Sequence, residues 1–121
     1  MKNNIEVNLE NLIKLLDDKI DIMSQIYNIV INQKTMIQSK EECLELLKET
    51  GSMVREKTLE INGIDTKFQT NYDLISKELC LQKSDFKGYI HLLKDKIKLC
   101  TELKLKIKLQ EDKNRELLDK I

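Results

Sequence analysis

Apolar residues recur at intervals of three and four along nearly the whole chain. In the first third, Ile5, Leu9, Leu12, Leu16, Ile20, Met23, Tyr27, Val30 and Ile37 keep that spacing, broken only at Lys34. A helix turns roughly 100° per residue, so this spacing keeps the side chains on one face and predicts a helix over residues 5–38. A seam held over more than four heptads has coiled-coil character. Ile13, Ile22, Ile26 and Ile29 widen it toward the broad face of a globular bundle. The stretch SKEE, Ser39–Glu42, has the form of a capping box: the Ser39 hydroxyl accepts from an amide one turn in, and Glu42 returns to the Ser39 amide. A second helix is therefore predicted over 40–80, antiparallel to the first after a short turn.

The second helix carries Leu44, Leu47, Val54, Ile61, Phe68, Tyr72, Ile75 and Leu79 in one phase, with lapses at Gly51, Thr58 and Asp65. NGID at Asn62–Asp65 is a turn signal. The apolar residues on both sides stay in phase, so a bend or brief break of the helix is expected there in place of a hairpin. LQKSD, Leu81–Asp85, is the second connection, with Ser84 or Asp85 capping a third helix over 85–121. Its main seam is Phe86, Ile90, Leu93, Ile97, Cys100, Ile107, Leu118 and Ile121. Within it, LKLKIKLQ at 103–110 alternates like a half-buried strand. On a helix the alternation resolves into two stripes: Leu103 and Ile107 join the arc of Ile97, Cys100 and Leu118, while Leu105 and Leu109 project to the opposite side. The expected fold is all-α, an elongated antiparallel three-helix bundle in one domain over 1–121, ending in a long amphipathic C-terminal helix.

Composition agrees with this pattern. The 121 residues include no Pro, Trp or Ala and only three Gly, and 35% are charged. That is the composition of long helices, and aromatics at 4% leave the core to aliphatic side chains. Formal net charge is zero, which argues against a general polyanion binder. Residues 1–76 hold 9 basic and 13 acidic side chains, a balance of −4, and residues 77–121 hold 12 and 8, a balance of +4. Either acidic and basic helices pair along one bundle, or the basic final helix seeks an acidic partner.

No run approaches the ~18–20 apolar residues of a membrane span, and MKNNIEVNLEN lacks a signal peptide's apolar core. Cys43, Cys80 and Cys100 are an odd set with no Cys-x-x-Cys pair, expected to be reduced, buried packing residues in a cytoplasmic protein. His91 is the only histidine, and no Glu-x-x-His pair or glycine-rich phosphate loop is present. No catalytic, cofactor-binding or metal residue is assigned, and the chain is expected not to be an enzyme. The basic run Lys94–Lys108 lacks interleaved aromatics and arginine, so nucleic acid is not expected as a partner. What remains is protein binding through an amphipathic helix.

Two blocks carry a resemblance. CLELLKETGSMVREKTLEINGIDTKF, Cys43–Phe68, has a Leu-rich start, a basic segment and the ending Ile61-x-x-Ile64-Asp65-x-x-Phe68. HLLKDKIKLCTELKLKIKLQEDKNRELLDKI, His91–Ile121, leads through paired apolar positions to Asp112, Lys113, Asn114, Leu117 and Leu118. With the long first helix, they resemble the flagellar export chaperones of the FlgN/FliT type, although Gly51 and the Asn62–Gly63 pair depart from a smooth second helix. The resemblance implies a small cytoplasmic chaperone without cofactor. Such a protein holds late flagellar subunits (hook-associated junction proteins or the filament cap) by their helical C-terminal regions and delivers them to the type III export apparatus. The expected partner-binding residues are Leu105 and Leu109, the surplus apolar pair, with Asn114, Leu117, Leu118 and Ile121 of the helix-three terminus. The alternative is a structural coiled-coil adaptor or self-associating bundle, in which Leu105 and Leu109 face a second copy in a homodimer. A third is a regulator that sequesters a transcription factor or ATPase through the same helix.

Overall fold

The computed structural model describes residues 4–39 and 43–120. Helix α1 spans Asn4–Ser39, α2 spans Cys43–Leu81, a 3₁₀ turn follows at Lys83–Phe86, and α3 spans Lys87–Asp119. There is no strand among the described residues, and LKLKIKLQ is helical. The chain is an all-α three-helix bundle. The predicted start of helix two at Lys40 and most of the capping box lie outside the described residues. Ser39 closes α1, its hydroxyl donating to the Met36 carbonyl at 2.8 Å. At Asn62–Gly63 the expected break does not occur, and α2 runs through as helix. A Cβ placed on Gly63 would meet nothing within 4 Å, so this glycine answers no packing need.

The second connection also differs from its prediction. Neither Ser84 nor Asp85 caps α3; the residue before it is Phe86, which has no side-chain cap bond. In the connection the Gln82 amide donates to the Glu78 carbonyl near the end of α2, and the Asp85 amide of the 3₁₀ turn donates to the Gln82 carbonyl. Phe86 is buried and fixes this turn in the core.

Helix α1 packs along both α2 and α3, and among the described residues no Cα of α2 comes within 8 Å of one in α3. Polar contacts give the directions. Gln33 donates to Thr50 at 2.9 Å, Lys57 donates to Gln25 at 2.6 Å, and Lys19 donates to Asp65 at 2.7 Å, so α2 ascends as α1 descends. Tyr89 donates to Glu10 at 3.3 Å, Lys96 to Asp17 and Asn114 to the Val30 carbonyl at 2.9 Å, so α3 runs parallel to α1.

A helix flanked on two sides needs a wide buried stripe, and α1 has one: Ile5, Leu9, Leu12, Leu16, Met23, Ile26, Val30 and Ile37 are all buried. They fall into two heptad series, Leu9–Leu16–Met23–Val30–Ile37 and Ile5–Leu12–Ile26, the second completed by Lys19 and Gln33. Ile20 and Tyr27, expected in the seam, are only half-buried beside it. The 3₁₀ turn buries Phe86, and α3 continues its spacing with Leu93, Cys100, Ile107 and Asn114, each seven residues from the last. Ile97 and Leu118, expected in that seam, are exposed at 45% and 39%, because the second series of α3 runs instead through Lys96, Leu103, Gln110 and Leu117.

Among its described residues, α2 buries only Ile75 and Leu79, and Val54, Ile61 and Phe68 are half-covered. Leu44 and Tyr72, expected in its seam, are exposed, although Tyr72 stacks on Phe68 with ring centres 6.4 Å apart. Cys80, expected to be buried, is exposed, while Cys100 is buried as expected; the side chain of Cys43 lies outside the described residues.

Candidate partner-binding surface

Because α2 and α3 diverge around α1, a groove of about 650 Å³ lies between them. Its floor is Leu16, Met23 and Ile26 of α1, with Lys19 among them. Val54, Thr58, Ile61 and Asn62 form the α2 wall, and Ile97, Cys100, Thr101 and Ile107 the α3 wall. Ile97, exposed at 45%, is part of the groove lining. Lys19 stands at a heptad position that an apolar residue would otherwise fill, and its ammonium is neutralised by Asp65 across the floor at 2.7 Å. Lys19 is largely covered and Asp65 half-exposed, so the pair offsets the charge that Lys19 brings to the floor. The α3 rim is different. Lys104, Lys108 and Arg115 line it, together with Glu111 and Asp112, and none of these five makes an ion pair among the described residues.

The Cys100 thiol lies in this wall. Burial pushes its pKa above the ordinary range, the Lys19 ammonium draws it back in part, and the Asp65 carboxylate adds to the rise. Held protonated at neutral pH, it is a packing group and a poor nucleophile. His91 pairs with Asp95 at 3.3 Å one turn along α3, both largely exposed. Among the described residues, no three His, Cys, Asp or Glu side chains gather as a metal site, and no helix is long and apolar enough to cross a membrane.

The residues expected at the partner surface separate into three groups. Leu105 and Leu109 are exposed at 58% and 52% on the outer side of α3, away from the groove. Leu117 is half-buried, Leu118 is exposed and Ile121 lies outside the described residues. Asn114 is turned inward. It is 5% exposed, its amide donates to the Val30 carbonyl, and its side-chain oxygen accepts from Gln110 at 2.9 Å. It is the polar member of the α3 core heptad and ties α3 to α1. The groove itself was not foreseen. Its signal in the sequence was the set of polar residues at heptad positions, Lys19 above all, which mark where a core is left incomplete.

No family model, curated protein or solved structure matches this chain. The class that stands on the geometry is a three-helix bundle with an open groove between α2 and α3.

Proposed function

We propose that this chain is a helix-binding chaperone, and that its specific form is the cytoplasmic flagellar export chaperone implied by the resemblance in Cys43–Phe68 and His91–Ile121. The observation that carries the helix-binding part is the gap between α2 and α3, where a fourth helix would complete the bundle. The clients are hook-associated or filament-cap proteins, bound by their helical C-terminal regions and released to the export apparatus. Such a client covers α3 on both unpacked sides, the groove and the outer stripe of Leu105 and Leu109. Burial of apolar area, at roughly 25 cal/mol per Å², drives the association, and flanking charge sets its orientation.

Co-expression of the full chain with the helical C-terminal segments of hook-associated and cap proteins tests this. A stoichiometric complex on size-exclusion chromatography is expected with at least one of them. Replacing Leu105 and Leu109 together by Glu is expected to weaken that complex and leave the melting temperature nearly unchanged. The absence of a complex with every segment would overturn the proposal.

A further inference from the structure

The chemistry of the groove restricts what fits it. Its lining along α3 runs from Ile97 to Arg115, about 27 Å at 1.5 Å per residue, or five turns of a helix laid alongside. The floor and walls offer Leu16, Met23, Ile26, Ile61, Ile97 and Ile107 to an apolar stripe. The one charged pair on the floor is internally neutral. Specificity must therefore come from the rims.

On the α2 side Thr58 and Asn62 are uncharged, and the half-exposed Asp65 is paired with Lys19. On the α3 side Lys104 and Lys108 stand one turn apart, Glu111 and Asp112 lie one turn beyond Lys108, and Arg115 follows two turns on. Glu111 and Asp112 interrupt this strip toward the C-terminal end. Lys94, Thr101, Lys108 and Arg115 also fall seven apart, the spacing at which flanking charges select a partner in a coiled coil.

We infer that the groove seats one amphipathic helix whose flank toward α3 is acidic opposite Lys104 and Lys108 and basic opposite Glu111 and Asp112. The inference rests only on the helix-binding part of the proposed function, not on the flagellar identity of the client. The apolar stripe supplies contact area, and the charged flank excludes helices of the opposite pattern. An occupant of this charge is the one that the basic α3 rim does not repel.

The probe is a pair of 21-residue synthetic helices with Leu and Ile on the buried stripe. One has Glu and the other Lys at the flank positions that face Lys104 and Lys108, and both have Lys opposite Glu111 and Asp112. Binding to the full chain is read by calorimetry at low and high salt. The Glu peptide is expected to bind at least tenfold more tightly than the Lys peptide, with the difference shrinking at high salt. In the variant Lys104→Glu/Lys108→Glu the preference is expected to reverse. Circular dichroism melting checks that this variant is folded, and Lys104→Gln/Lys108→Gln, which should abolish the preference without reversing it, serves if it is not.

Equal binding of both peptides or a preference unchanged by the rim substitutions would overturn the inference. So would a stable dimer of the chain that neither peptide displaces. Peptide preference without any complex of the flagellar segments would leave the groove's specificity standing and remove the export role. Complexes with those segments but no peptide preference would do the reverse.

Discussion

Asn114 shows how one buried amide fixes the relation of two helices. Its donor and acceptor are both engaged, with Val30 and Gln110, and an amide satisfied in a core aligns one register over those that would strand it. Replacing it by Ala removes a buried hydrogen bond and opens a small cavity, for a loss of about 1–2 kcal/mol in denaturant unfolding. Client binding should be unaffected; lost binding at unchanged stability would return Asn114 to a partner surface. The cysteines give a second test at this scale. Exposed Cys80 should be alkylated quickly in the native protein and buried Cys100 slowly, and urea should bring the two rates together. Because the fold favours the protonated thiol of Cys100, its pKa is higher folded than unfolded. The stability that this contributes is complete below the ordinary thiol pKa and is lost as pH rises through the folded value. The unfolding midpoint should therefore decline above about pH 8.5, and Cys100→Ser should remove part of that decline. Residue burial was only partly legible in the sequence. A spacing of three and a spacing of four are equally apolar at Ile20 and Ile26, or at Ile90 and Leu93. The polar residues that complete the true series, Lys19, Gln33, Lys96 and Gln110, look like surface until their partners are known.

At the scale of the helices the pattern was far more legible, because a period sustained for 33 residues or more averages out single exceptions. Asn62–Gly63 is such an exception. A turn dipeptide does not stop α2, since helical phase holds on both sides and Ile61 and Ile64 keep half-buried contacts with the bundle. Local propensity is a weaker term, up to about 1 kcal/mol for a glycine, than the packing of a whole face. With nothing within reach of its added methyl group, Gly63→Ala should raise stability by about 0.5–1 kcal/mol. A destabilised Gly63→Ala protein would show that the helix is not continuous there. The 3₁₀ turn before α3 was not legible in the same way: Ser84 and Asp85 are good caps by type, but the position of the buried Phe86 decides where α3 begins.

For the molecule as a whole, what decides its properties is that α1 is shared and α2 and α3 are not joined. Three seams in one sequence imply a bundle, yet they do not say whether every pair of helices meets. The weak covering of α2 follows from that missing contact, as does the groove. The acidic first part of the chain and the basic α3 meet only partly, through pairs such as Asp17 with Lys96, so the charge of the α3 rim remains for something else. Amide hydrogen exchange of the full chain, alone and with a bound helical client segment, tests this account most directly. Exchange is predicted to slow on both groove walls together, around Val54–Asp65 of α2 and Ile97–Arg115 of α3. Unchanged exchange on those two walls in a demonstrated complex, with protection confined to other surfaces, would contradict it.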